Sequence, residues 1–134
     1  INLEDIILNL NLVKFVKIFK NVNDLQLSKM YKNSLYSILI SKYEGYGLPV
    51  VESLASNTPV IISKDGSLIE IYQNCGYSVE YNKITKIKNT LKKALIEKKK
   101  YKLLLKKIKL AKFPDWKSAG ITLTNLIKKN YDKE

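Results

Sequence analysis

The chain has 134 residues, all 24 of its basic side chains are lysine, and it contains no His and one Cys, Cys75. That composition excludes an internal disulfide and Ser-His-Asp or Cys-His nucleophilic machinery, and all but excludes a zinc site. Hydrophobic residues at 46%, charged residues at 27%, and only 5 Gly and 3 Pro describe a chain that folds around one core, and no apolar run approaches a membrane span. The net charge of +12 is unevenly placed: residues 1–82 carry 7 Lys against 8 acidic residues, net −1, whereas residues 83–134 carry 17 Lys against 4, net +13. Lysine without arginine, with frequent Ile and Asn, fits an AT-rich codon bias better than a selected phosphate reader, and bidentate recognition by arginine is out of reach. With one cysteine and no signal-peptide layout, a cytoplasmic location is expected.

In chain order, Leu12 to Phe19 (LVKFVKIF) is β-branched and apolar-rich and predicts a buried strand. Asn23 to Asn33 comes next as a helix, with Leu25, Leu27, Met30 and Tyr31 at helical spacing. Leu35 to Ser41 predicts a second strand, Leu48 to Ser56 a helix whose first turn tolerates Pro49, and Pro59 to Ser63 (PVIIS) a third strand. A short helix is expected over Ser67 to Tyr72, then a turn containing Gly76 and a last strand near Tyr77 to Tyr81. This alternation predicts an α/β, Rossmann-like parallel sheet with right-handed crossovers, flanked by helices.

From residue 83 the periodicity becomes purely helical. Ile84, Ile87, Leu91 and Leu95, then Leu103, Leu104, Ile108 and Ala111, recur at three- and four-residue steps with lysines on the other faces. Pro114 interrupts the pattern, and Asp115 is placed to cap a final helix. The apolar stripe of that helix runs through Trp116, Ala119, Leu123, Leu126 and Ile127, with Trp116 as a packing anchor. With no internal repeat and no flexible linker, residues 1–134 are expected to form one domain carrying a lysine-rich helical segment over residues 83–134.

Chemistry concentrates in Glu44-Gly45-Tyr46-Gly47-Leu48-Pro49-Val50-Val51-Glu52, between the predicted strand ending at Ser41 and the helix beginning near Leu48. Gly45 and Gly47 permit backbone conformations closed to other residues and let a ligand approach, while the free N–H groups of the helix start face it. A phosphate could be held there without arginine, at the carboxyl end of a strand, where open parallel sheets bind ligands. Glu44 opens the loop, and Glu52 is expected within the first turn or so of the helix, where the dipole favours its ionised form. Carboxylates flanking a phosphate suit hydroxyl donors, which points to a sugar on each side of a diphosphate, that is, a nucleotide sugar.

The run SKYEGYGLPVVESLASNTPVI, with seven residues between Glu44 and Glu52 and Pro59-Val60-Ile61 after them, resembles the C-terminal, donor-binding half of retaining GT-B glycosyltransferases, the glycosyl transferases group 1, family 4. Leu27-x-x-Met30-Tyr31, Ser63-x-x-Gly66-x-x-x-Glu70 and Phe113-x-x-Trp116 extend the resemblance over nearly the whole chain. It implies that Glu44 contacts donor-sugar hydroxyls beside the anomeric centre. The backbone of Gly45, Tyr46, Gly47 and Leu48 would meet sugar and diphosphate, Glu52 would hold the ribose, and the base would lie near Phe19, Lys20, Asn21 and Val22. The implied reaction moves a hexose from a nucleotide-diphosphate donor to a glycan or lipid-linked acceptor with retention, without metal or other cofactor, in bacterial surface polysaccharide or glycolipid synthesis.

The resemblance also implies that an acceptor-binding N-terminal domain, with the first strand and helix of the donor domain, precedes Ile1; this fragment alone is then expected to be inactive. Three positions depart from the family pattern: Lys20 and Asn57 stand where Gly is usual, and Ile40 where Pro is usual. A different-class alternative is a non-catalytic sugar-nucleotide-binding or interaction module. The lysine-rich helices raise two more, nucleic-acid binding and contact with anionic membrane. The stretch lacks arginine, serial aromatics and any reading motif, so no nucleic-acid partner is expected. A basic amphipathic surface suits peripheral contact at the inner leaflet.

Overall fold

A computed structural model describes residues 2–113 and 116–131. Helix α1 (Leu3–Asn9) begins at Asn2, whose side chain accepts from the Glu4 N–H at 3.0 Å, with Glu4 and Asp5 in the first turn where the dipole favours acids. Helix α2 (Asp24–Lys32) is closed by a reciprocal cap: the Asn23 side chain accepts from Gln26 N–H at 2.9 Å, and the Gln26 side chain accepts from Asn23 N–H at 3.0 Å. Strand β1 (Ser37–Leu39), helix α3 (Leu48–Ala55), strand β2 (Val60–Ser63), helix α4 (Leu68–Ile71) and strand β3 (Gly76–Val79) come next in strict alternation. Helices α5 (Ile84–Ile96), α6 (Lys98–Leu110) and α7 (Trp116–Tyr131) complete the order of elements. The expectations for Pro114 and Asp115, and for the Trp116 side chain, lie outside the described residues.

The sheet is parallel in the order β1-β2-β3, with Ile38 opposite Ile61, and Ile61 opposite Tyr77. Its central strand β2 is buried along its length, which is why Pro59 to Ile62 is continuously apolar rather than alternating. Side chains still alternate between faces. Val60 and Ile62 pack with Val50, Leu54, Leu68 and Ile108, under α3, α4 and the end of α6. Ile61 and Tyr77 face the other way, onto Ala94 of α5 and Leu104 of α6. Each such aliphatic side chain contributes roughly 1.5–3 kcal/mol by leaving water, so two covered faces suffice for one core.

The predicted strand over Leu12 to Phe19 does not form. The segment is turn and irregular chain, with Val16 N–H donating to Leu12 carbonyl at 2.9 Å and Phe15 82% exposed. Lysine recurs every third residue, at Lys14, Lys17 and Lys20, against the period of two of a strand, so each face of a strand here would carry lysine. β1 is consequently an edge, and its Ile38 is 54% exposed. Gly76 is also not in a turn: it opens β3 paired with Val60, where a side chain would collide with the Val60 carbonyl.

Candidate functional site

Two serines lace the carboxyl ends of β1 and β2. Ser63 Oγ donates to the Ser41 carbonyl at 2.6 Å and accepts from Ser41 N–H at 3.2 Å. Ser41 Oγ donates to the Tyr43 carbonyl at 2.8 Å and so turns the chain out of the sheet. Beyond β2 the chain turns at Gly66, φ +66°, and Ser67 Oγ donates to the Glu44 carbonyl at 3.1 Å. The loops after β1 and β2 are thus tied to each other, and Glu44 is the tie point, half-buried at the start of the glycine loop.

The two loop glycines differ in kind. Gly47 is buried, sits in the left-handed region at φ 80°, ψ 45°, and directly precedes α3. A Cβ there would stand 2.5 Å from Leu68 Cδ2, so this glycine is required by conformation and by the closeness of α4. Gly45 has no such conformation, and a Cβ on it would meet nothing within 4 Å. The expectation that both glycines escape a forbidden backbone region is corrected for Gly45, which leaves open space before the helix. No side chain caps α3. Among the described residues, the backbone N–H groups of Gly45, Tyr46, Gly47 and Leu48 donate to no protein acceptor. Four consecutive donors at a positive helix end suit an anion. Tyr43, 81% exposed, and Tyr46 flank the loop.

Glu52 is not in the first turn of α3. It is the fifth residue, one turn further along, and its carboxylate accepts from Tyr31 Oη of α2 at 3.4 Å. The Tyr31 phenol is raised above its ordinary value, first by burial and then by the Glu52 carboxylate beside it. Asp24, Leu27, Ser28 and Tyr31 of α2, with Glu52 and Ser56 of α3 and its C-terminal cap, line a cleft of about 310 Å³. Thr58 Oγ1 donates to the Tyr31 carbonyl at 2.6 Å and fastens this end of α2 to the turn before β2. Asp24, Ser28 and Tyr31 recur at i, i+4, i+7; this polar stripe is visible in the sequence, but nothing local marks the three as site residues, and sequence reasoning misses them.

Phe19, Lys20, Asn21 and Val22 form irregular chain running into the α2 cap, not a loop leaving a strand. Lys20 Nζ pairs with Glu4 Oε1 at 3.0 Å, Asn21 takes φ 53°, and Phe19 is 59% exposed. The structure therefore assembles Glu44 to Leu48 at the sheet's carboxyl end and Glu52 with α2, while residues 19–22 and 44–48 stand outside the walls of the cleft. Among the described residues, no cluster of three His, Cys, Asp or Glu could hold a metal ion.

Comparison with known proteins covers most of the chain. A family model described as Glycosyl transferases group 1 matches residues 2–112. An uncharacterized glycosyltransferase of Methanocaldococcus jannaschii is 35% identical over 72 residues, 54% of this chain and 18% of that protein. An MMP alpha-(1->4)-mannosyltransferase of Mycolicibacterium hassiacum is 32% identical over 68 residues, 51% of this chain and 16% of that protein. The matched stretch thus spans less than a fifth of either relative. In fold, the chain is similar to sucrose-phosphate synthase from Thermosynechococcus elongatus, with a TM-score of 0.79 at 20% identity over 98% of this chain and 34% of that one.

Proposed function

Because the chain belongs to the glycosyl transferases group 1 family, we propose that it is the donor-binding, C-terminal domain of a retaining GT-B glycosyltransferase of family 4. The proposed substrate is a nucleotide-diphosphate sugar, and the acceptor a glycan or lipid-linked sugar in surface polysaccharide synthesis. The observation that carries this reading is the run of N–H groups from Gly45 to Leu48, free of protein acceptors and leading into an uncapped helix. Such donors stabilise a diphosphate, and the negative charge that grows on it as the sugar leaves, without a bound cation.

Around that anchor the residues divide the ligand. Glu44, held by Ser67 at the loop start, accepts from donor-sugar hydroxyls and acts beside the anomeric carbon. Glu52, already accepting from Tyr31 in the α2–α3 cleft, accepts from the ribose, whose base then extends toward Phe19, Lys20, Asn21 and Val22. Gly45 keeps the approach open, and Gly47 sets the direction of α3. Retention at the anomeric carbon is proposed from the family alone.

Calorimetric titration with UDP, GDP, UDP-glucose, UDP-galactose, UDP-N-acetylglucosamine and GDP-mannose tests this, the last because one relative is a mannosyltransferase. One base series is expected to bind. Glu52→Ala should weaken nucleotide and nucleotide sugar alike, about tenfold or more for a lost bond to a charged acceptor. Glu44→Ala should weaken only the nucleotide sugar. Silence of the full-length protein toward every one of them sinks the proposal.

A further inference from the structure

The outward surface of α5 and α6 plays no part in the donor site, yet its composition is extreme. Residues 83–112 contain 13 Lys and a single acidic residue, Glu97. Among the described residues only Lys86 and Lys93 of this set lie within ion-pair distance of a carboxylate, 2.6 Å from Glu80 and 3.9 Å from Glu97. Glu97 is further occupied by the Tyr77 hydroxyl at 2.8 Å. Codon bias does not explain the segregation, because residues 1–82 hold 7 Lys against 8 acids under the same bias.

The pattern on α6 is ordered. Leu104 and Ile108 are buried on one side, and the opposite half of the helix carries five exposed lysines, Lys98, Lys99, Lys102, Lys106 and Lys109, with Leu103 and Leu110 among them. These leucines are a heptad apart, 52% and 83% exposed, so water meets both. On α5, Ile84, Leu95 and Ile96 are likewise exposed beside Lys88 and Lys92. A polyanion such as duplex nucleic acid would satisfy the ammonium groups and leave the aliphatic side chains in water. An anionic bilayer surface satisfies both, with lysine stems and leucines at the acyl boundary and ammonium groups among headgroup phosphates. No described helix is long and apolar enough to cross a membrane.

We propose that the outward face of α5 and α6 docks this protein on a membrane leaflet rich in anionic phospholipid, with Leu103 and Leu110 inserted between lysine-bound headgroups. The proposal rests on the lysine and leucine placement and stands or falls separately from the donor site. Sedimentation of the full chain with vesicles tests it, using phosphatidylcholine alone and with about 30% phosphatidylglycerol, at about 0.15 M and about 0.5 M salt. The unmodified chain is expected to bind the anionic vesicles only, less at the higher salt. Lys102→Gln with Lys106→Gln should weaken binding about 25-fold, near fivefold per lysine. Leu103→Ser with Leu110→Ser should weaken it about tenfold while leaving affinity for a short DNA duplex unchanged. All four positions are exposed, and the lipid and salt dependence of the unmodified chain decides the matter without them. Equal partitioning with neutral and anionic vesicles, tighter binding to the duplex than to the vesicles at the same salt, or indifference to the leucine pair would overturn it.

Discussion

Gly47→Ala is expected to cost about 3 kcal/mol of stability, from two separable causes. The first is conformational: at φ 80°, ψ 45° a residue with a Cβ pays about 1 kcal/mol or somewhat more relative to glycine. The second is steric, because the new methyl would lie 2.5 Å from Leu68 Cδ2, well inside contact distance. Leu68 is 0% exposed and packs with Val50 and Leu54, so it has no solvent to swing into, and overpacking of this kind costs roughly 1–3 kcal/mol. For a domain whose total stability is of order 5–15 kcal/mol the loss is large, equivalent to a shift of the urea midpoint by about 1.5 M. Urea unfolding monitored by circular dichroism measures it, with Gly45→Ala as the control: a Cβ there meets nothing, and the change should stay within about 0.5 kcal/mol. Leu68→Val removes the offending Cδ2, so in that background Gly47→Ala should cost about 1–2 kcal/mol less. A Gly47→Ala midpoint within about 0.2 M of the parent chain, or an equal cost at Gly45, would refute the reasoning.

Substitutions at three further positions probe the sheet and its flanks. Gly76→Ala should cost more than about 3 kcal/mol, because its Cβ would overlap the Val60 carbonyl and force β2 and β3 apart; a melting temperature unchanged from the parent would contradict the register. The Tyr77 phenol is raised well above its ordinary value by burial and then by the hydrogen bond to Glu97. The unfolded chain therefore loses this proton first, and the associated stability, complete below about pH 10, is lost as pH rises beyond it. Tyr77→Phe should cost about 1 kcal/mol at neutral pH and make the alkaline fall in melting temperature shallower, so identical slopes for the two chains would count against it. Asn57 takes φ 61°, a left-handed conformation that asparagine tolerates better than other side chains. Asn57→Gly should be neutral within about 0.5 kcal/mol and Asn57→Ala destabilising by about 1 kcal/mol, both read from the urea midpoint.

The sequence by itself determined those features that depend on near neighbours along the chain. The apolar run from Pro59 to Ile62 that builds β2, the amphipathic periods of α2, α5 and α6, and the Gly-x-Gly step into α3 were all legible, because burial on both faces, a 3.6-residue stripe and a helix start each leave a local pattern. That Glu44 to Gly47 form a loop leading into a helix was legible for the same reason. The features left open depend on partners distant along the chain. Leu12 to Phe19 has strand propensity, but a strand forms only where an edge and two apolar faces receive it, and Lys14 and Lys17 occupy opposite faces. Only the packed structure distinguishes Gly47, pressed against Leu68, from Gly45, which faces open space, and only the β2–β3 register shows that Gly76 must lack a side chain. Glu52 carries no local sign that α2 supplies its neighbour Tyr31; that meeting arises from the packing of α2 against α3, and it defines the cleft.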